Sequence, residues 1–502
     1  METAKQFFAH TLPGRPPSDW EPLRDHLEAV AARAAEFGEQ IGAREWAELA
    51  GLWHDLGKYS LALQEYLRTA VAPDPHIADL EDETSEAAGS RPSRSGARVD
   101  HSSAGAQHAA GADPVFGQLL AYVIAGHHSG LLDWLGDGAC LSNRLGKAIE
   151  PWTDAPADLL DRPLPDPPQP LRLALGQGGK KRAFAVAFFT RMLFSCLIDA
   201  DFLETERFMS SERAASRPAW PEDILARMEQ ALDAHVAGFT PDPTPVNHQR
   251  TRVREACLTA AELEPGLFSL TVPTGGGKTL SSVAFALRHA RLKSLDRVIY
   301  VAPFTTIIEQ NADSFRQALA TLSEAGLPDP VVEHHSNLET GKETVLSRLA
   351  SENWAAPLVV TTSVQFYESL FANRTSRCRK LHNLARSVIV LDEAQALPVD
   401  LLAPCLRALD ELTRAYGASV VLCTATQPAV QQRDGFPIGL SGVREIIDDP
   451  PRLYEALRRV ELRDIGLQDD EALAQRLRRA EQVLCVVNTR GHARALFEKL
   501  GA

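Results

Sequence analysis

Cysteine is scarce and scattered in this chain. Seven residues occur in 502, none at a paired spacing, which excludes a disulfide framework or a cysteine zinc finger and reads as reduced thiols of a cytoplasmic protein. The N-terminus, METAKQFFAH, lacks the apolar core of a signal peptide. No apolar run reaches the length of a membrane span, so no membrane partner is expected. Basic excess is lacking too: 52 Lys and Arg stand against 66 Asp and Glu, a net charge of −14. That excludes a general coat of basic surface and leaves room for a local basic groove. With 44% hydrophobic and 24% charged residues over this length, two to four ordinary globular domains are expected, and there is no internal repeat.

What is present is concentrated in a few strings. Residues Thr271–Thr279 read TVPTGGGKT, between an apolar run, LFSLTV, and a helical pattern, SSVAFALRHA. Backbone N–H groups of Gly275, Gly276 and Gly277 can wrap phosphates because no Cβ blocks their approach. Lys278 supplies a point charge, Thr279 a hydroxyl for Mg²⁺, and the helix N-terminus a positive dipole end. The first position of the loop is Val272, where the generic pattern has Gly, so the loop alone could be a strand-capping turn. Further on, SVIVLDEAQ places Asp392 and Glu393 after a second buried-strand pattern. In this order the two strings point to a nucleoside triphosphate with Mg²⁺: Asp392 holding the metal through water, Glu393 orienting or deprotonating the attacking water.

A second constellation lies in the first third. His54 and Asp55 are adjacent in WHDLGK, His127 and His128 in AGHHSG; His26 and His101 open helical stretches, and ADFLETE offers Asp201, with Asp199 two residues earlier. Each alone is an ordinary surface pair or helix cap. Together they suit borderline divalent metals such as Mn, Fe, Co, Ni or Zn, and two ions a few ångströms apart would account for the ligand count. Asp55 is the natural bridge, since a carboxylate spans two ions and an imidazole ordinarily does not. Lys58, one turn after His54, either faces that pocket to neutralise a scissile phosphate or is an exposed solubilising lysine. His76 and His108 read as surface residues and His10 as terminal.

The texture of the chain changes along its length. Residues 20–70 and 100–150 are helical in period. Residues 72–100 are polar and read as a mobile insertion, DRPLPDPPQP as a stiff break, and KKRAFAVAFFTRMLFSCLIDADFLETE as one long buried helix. The prolines and charges up to FTPDPTPVN read as a linker. From about 246, short β-rich runs alternate with helices, the pattern of a parallel sheet with crossover helices.

The HDxGK pattern at His54–Lys58, His101, the HH pair and the AD motif resemble the HD superfamily of metal phosphohydrolases. TVPTGGGKT, YVAPFTTIIEQNA, TTSVQF, VIVLDEAQALP and TATQP resemble the first motor domain of a superfamily 2 helicase. The fusion resembles the CRISPR-associated helicase–nucleases of type I interference systems. The resemblance implies an all-α HD domain over 1–215, a linker over 216–245, an α/β RecA-like domain over 246–450 and the beginning of a second RecA-like domain over 451–502. It implies metal ligands His26, His54, Asp55, His101, His127, His128 and Asp201, the last preferred to Asp199 because the family's acidic ligand precedes a bulky residue, here Phe202. The ions would be two of Mn, Fe, Co or Ni.

It further implies that Gln249 reads adenine, that Thr274 to Thr279 with Asp392, Glu393 and Gln395 form the nucleotide site, and that Thr424 and Thr426 couple hydrolysis to movement. Pro303, Thr305, Thr306, Thr361, Thr362 and Gln365 would touch the DNA backbone. Arg374, Arg377, Arg379 and Lys380 read either as a basic cluster on that strand path or as a solvated loop. Asp55, Lys58 and Glu393 would be catalytic, and the partners single-stranded DNA, ATP and a guide-RNA surveillance complex. The strings past Val483 supply only the first strand and helix of the second motor half. The expectation is therefore a fragment, or one half of a motor that a separate chain completes with its arginine finger, binding ATP and hydrolysing it poorly. The opposing expectation is an HD nucleotide phosphohydrolase with a regulatory or docking motor remnant.

Overall fold

The computed structural model describes residues 5–12, 14–69, 100–136, 140–239, 244–335, 345–425 and 430–501. The insertion read at 72–100 lies, except for Asp100, outside the described residues, as does Thr426. Two compact units are present, Met1–Ala456 and Leu457–Ala502.

The first unit opens with a two-stranded antiparallel sheet, β1 (Phe8–His10) and β2 (Glu21–Pro22). A helical hairpin follows, Leu23–Gln40 and Arg44–Trp53, then Ser102–Ala112 and Gly117–Gly126. The long helix Gly179–Met209 runs through the middle, touching both arms of the hairpin and the Gly117–Gly126 helix. Its 31 residues span about 46 Å at 1.5 Å per residue. By length and composition an 18-residue window of this helix could cross a membrane, contrary to the reading that no run is long enough. Yet 72% of that window is buried inside the protein, and a helix surrounded by other helices is apolar all round for that reason.

The rest of the unit is a seven-stranded sheet, with β3 Leu267–Thr271, β4 Arg297–Ala302, β5 Val331–His334, β6 Leu358–Thr362, β7 Ser387–Leu391, β8 Ser419–Thr424 and β9 Arg444–Glu445. The order is β5-β6-β4-β7-β8-β3-β9, and every pairing is parallel. Its inner strands are continuous runs of Val, Ile and Leu because both faces are covered. The stretch 216–245 read as a linker contains a helix, Ile224–Ala237, whose Ile224, Leu225, Met228, Ala231 and Leu232 form a buried face.

Parallel strands deliver their loops to one edge of the sheet. The phosphate loop follows β3, the acidic pair follows β7 and Thr424 ends β8, and these three strands are neighbours. Pro303–Thr306 follows β4 and Ser363–Gln365 follows β6, an adjacent pair. Strand order thus sorts the motifs into two groups at one sheet edge, the crevice that α/β folds use for ligands.

The second unit contains the helices Asp470–Arg478 and Arg490–Gly501, joined by a small cluster of Ala474, Leu477 and Leu496. The run Val483–Val487, read as a first strand, forms no strand, and Val483, Leu484 and Val486 are exposed. A parallel strand exists only where a neighbour completes its ladder.

Candidate functional site

Asp55 sits at the centre of a histidine cluster, just past the Arg44–Trp53 helix, and is fully buried. Its Oδ1 lies 3.4 Å from His127 Nε2 and 3.5 Å from His101 Nε2. Its Oδ2 lies 3.4 Å from His54 Nε2 and 4.0 Å from His26 Nε2. Asp201, on the long helix, stands 3.5 Å from His26 and 3.8 Å from His54. His128 Nε2 is 2.6 Å from His101 Nε2. Three groups of potential ligands result among the described residues: Asp55 with His101, His127 and His128; His26 with His54 and Asp201; and His10 with Glu21 and His26. All seven residues named as ligands come together, although 175 positions separate the first from the last.

The local geometry has sequence causes. Gly57 of the HDLGK string packs against the backbone of His101; a Cβ there would lie 2.3 Å from the His101 carbonyl oxygen, so only glycine lets that segment approach. His54 Nδ1 donates to the Gly51 carbonyl at 2.7 Å and His127 Nδ1 to the Ile124 carbonyl at 2.6 Å. Each bond fixes the tautomer and turns a lone pair on Nε2 toward Asp55. Those two Nε2 atoms are buried and make no hydrogen bond. Two buried imidazole acceptors with nothing to accept fit a set built for cations.

Lys58 is 3% exposed, which excludes the solubilising role. Its Nζ lies 2.7 Å from Asp55 Oδ2 and donates to the Ala9 carbonyl at 3.1 Å. Burial alone would raise the Asp55 carboxyl; Lys58 and His54 beside it overcome burial and hold it well below the usual carboxylate range. Burial likewise opposes charge on His26, but Asp201 and Glu21 lift it to about 9. Asp199 turns to another side of its helix, where it accepts from Arg379 and Asn353.

Sequence reasoning missed two neighbours. His10, read as terminal, is fully buried in β1, and its ring centroid lies 4.9 Å from that of His26. Glu21 Oε2 is 3.3 Å from His26 Nδ1. Nothing in the string DWEPL marks Glu21; the only signal was a buried-strand pattern at FFAH. His108, read as a surface residue, is half-buried against Trp53.

At the sheet edge, the loop after β3 turns through Gly275 and Gly277, both at φ +85°, into the helix Lys278–Leu292. Lys278 Nζ bridges Asp392 Oδ1 at 2.8 Å and Glu393 Oε1 at 2.6 Å. Burial would lower Lys278, yet the two carboxylates raise it. Glu393 holds a left-handed backbone, φ 49°, an uncommon state for a non-glycine residue that marks functional turns. Gln395 donates to Glu393 at 2.6 Å and accepts from Thr424 at 2.7 Å. The phosphate loop, the acidic pair and the end of β8 are thereby one hydrogen-bonded unit. Gln249 lies on the helix Pro245–Ala260, and its neighbour Arg250 donates to the Gly275 carbonyl at 2.9 Å.

The second sheet-edge group forms an open cleft of about 550 Å³ lined by Pro303, Thr305, Thr306, Thr362 and Gln365, with Phe304, Val364, Glu368 and Arg377. Thr361 does not reach it: it is fully buried and donates to the His334 carbonyl at 2.8 Å. The expected basic cluster is also divided. Arg377 lines the cleft and Arg374 is exposed, but Arg379 and Lys380 are buried.

Residues 251–433 match the family model of the DEAD/DEAH box helicases. The CRISPR-associated nuclease/helicase Cas3 of Haloferax volcanii is 28% identical over 240 residues, 41% of this chain and 26% of that protein. Among solved structures, T. fusca Cas3 with ATP superposes at a TM-score of 0.51 with 20% identity, covering 84% of this chain and 49% of that one. Its AMPPNP form gives 0.51 at 19% identity, covering 84% and 50%. The chain therefore spans half or less of the proteins it matches. A helical region followed by a parallel α/β sheet is the fold shared with these structures, and residues 251–433 are similar to the DEAD/DEAH box helicases.

Proposed function

We propose that the chain is a metal-dependent nuclease for single-stranded DNA joined to an ATP-driven DNA motor, acting in type I CRISPR defence alongside a guide-RNA surveillance complex in the cytoplasm. The observation that carries this reading is the two-sided environment of Asp55, with one carboxylate oxygen facing His101 and His127 and the other facing His54 and His26.

His26, His54, Asp55, His101, His127, His128 and Asp201 would hold two divalent ions, of Mn, Fe, Co or Ni. Such ions supply an acidified water and positive charge for a phosphodiester. The chain's own groups prepare the place. Lys58 keeps Asp55 ionised despite burial, which supports a supporting role rather than direct contact with the scissile phosphate. The carbonyls of Gly51 and Ile124 hold His54 and His127 in the ligating tautomer.

In the motor, Lys278, Thr279 and Asp392 would bind ATP with Mg²⁺, Glu393 would orient the attacking water and Gln249 would read the base. Pro303, Thr305, Thr306, Thr362 and Gln365 would follow the sugar-phosphate backbone, without sequence preference. A second motor half, in this chain or a partner, would supply the arginine finger.

The test is circular single-stranded DNA incubated with Mn²⁺, Ni²⁺ or Co²⁺. Linear and then short products are expected from the wild type, none with a chelator, and none from the His54→Ala, Asp55→Ala double variant. Intact circles accompanied by turnover of free nucleotides would overturn the nuclease reading in favour of a nucleotide phosphohydrolase.

A further inference from the structure

Three imidazoles of the cluster are held from behind in different ways. His54 and His127 each donate Nδ1–H to a neutral backbone carbonyl three residues earlier. His26 instead has a carboxylate behind it, Glu21 Oε2 at 3.3 Å from Nδ1. Glu21 is 7% exposed and His26 fully buried. A carboxylate at this depth is costly unless a donor or cation meets it; its Oε2 makes no hydrogen bond among the described residues and faces His26 and, at 3.9 Å, His10.

The segment carrying Glu21 is itself held in place. β2 pairs with β1 through His10 and Glu21. Gln64, 2% exposed, accepts from the Phe8 amide at 3.0 Å and donates to the carbonyls of Phe8 at 2.9 Å and Lys58 at 2.8 Å. One buried side chain thus ties β1 to the carbonyl of Lys58, three residues from Asp55. The small sheet is anchored to the segment that supplies the cluster's central carboxylate.

We infer that Glu21 is a positioning residue for the metal centre: its buried carboxylate, 3.3 Å behind His26 Nδ1, holds that ring with Nε2 toward Asp55 and Asp201. This rests on reading the cluster as a metal centre and goes beyond it, because it assigns the two ions unequal support. The ion on the His26, His54 and Asp201 side depends on Glu21. The ion on the His101, His127 and His128 side does not. Removing such an outer partner characteristically costs about 10–100-fold in metal affinity.

The test is calorimetric titration of the metal-free full chain with Mn²⁺, paired with the visible absorption of Co²⁺. The wild type should show two binding steps. Glu21→Gln keeps the shape and an acceptor but loses the charge; it should weaken one step about tenfold or more and leave the other unchanged. Glu21→Ala should weaken the same step further. If Glu21→Ala does not fold, Glu21→Gln carries the test alone. Equal thermal unfolding of metal-free wild type and Glu21→Gln separates positioning from a merely structural role. Two wild-type binding steps in Glu21→Gln, with one lost in His54→Ala, would overturn this inference and leave the metal centre standing. Unchanged binding in His54→Ala as well would overturn the metal centre itself.

Discussion

Arg379 donates to Asp199 at 2.8 Å, and both side chains are fully buried. The pair joins the long helix that carries Asp201 to the segment before β7. Asn353 donates to the other Asp199 oxygen at 2.9 Å, and Glu352, itself held by Arg213 and Arg217, stands 3.6 Å from Arg379. Arg379 also lies over the Phe202 ring at 4.7 Å. Helical and α/β parts therefore meet through a buried charged network with directional bonds, which permits few alternative packings.

Truncating one partner strands a buried charge. Asp199→Ala or Arg379→Ala is expected to cost about 3–5 kcal/mol of unfolding free energy, read by denaturant titration. The Asp199→Leu, Arg379→Met double variant should lose less than either alanine variant, because the desolvation of both ions disappears with them. Additive losses in that double variant would show that the pair is not coupled.

His382 sets an acid limit on the same region. It shares two 3.0 Å hydrogen bonds with the Ser195 hydroxyl and stacks on Phe37. Burial lowers its pKa to about 4; Asp199 opposes this, and Arg297 and Arg379 reinforce it. The unfolded chain binds this proton below its ordinary 6.5 and the folded chain only below about 4. Between those values the unfolded state binds more protons, so stability falls as pH drops from 6.5 toward 4, by on the order of 3 kcal/mol in total. His382→Gln should flatten that part of the stability profile. An unaltered slope would exclude His382 as its source.

The motifs legible in the sequence are those whose chemistry is local. TVPTGGGKT names its own turn, because glycine at Gly275 and Gly277 answers a positive φ, and SVIVLDEAQ shows a buried strand by its unbroken apolar run. The histidines were legible as a set because several imidazoles and carboxylates in one helical region have few other uses. Glu21 was not legible, since what makes it part of the site is a strand pairing of two residues with β1. Arg379 and Lys380 were read as part of a strand-path cluster because a run of cations looks the same whether solvated or buried, as here with Arg379 on Asp199 and Lys380 on the Ser376 carbonyl. Thr361 was misread because alternation along β6 decides which hydroxyl faces out, and β6 is buried on both faces.

Gly57 offers a direct check on how His101 is placed. A methyl group there would meet the His101 carbonyl oxygen at 2.3 Å and its Cα at 2.6 Å, both backbone atoms that cannot rotate away. Gly57→Ala is expected to destabilise the fold by about 1–3 kcal/mol and to weaken Mn²⁺ binding on the His101 side. A variant with wild-type melting and wild-type titration would mean that the His101 segment moves freely.

Lys278 is the last point of leverage. Its ammonium lies 2.8 Å from Asp392 and 2.6 Å from Glu393, so on the proposed function the phosphates of an incoming nucleotide would compete with two carboxylates for it. Lys278→Ala removes the cation and leaves Asp392 and Glu393 facing the phosphates. Loss of a charge-assisted bond of about 1.5–3 kcal/mol should weaken binding of a fluorescent ATP analogue about 10–100-fold. Glu393→Gln removes one competitor and keeps the fold of the turn, so binding should be equal or tighter while any hydrolysis falls. Fluorescence titration with and without Mg²⁺ separates the two, since the ion should matter in both the wild type and Glu393→Gln. Weaker binding in Glu393→Gln than in the wild type would mean that Glu393 holds the nucleotide rather than competing with it for Lys278.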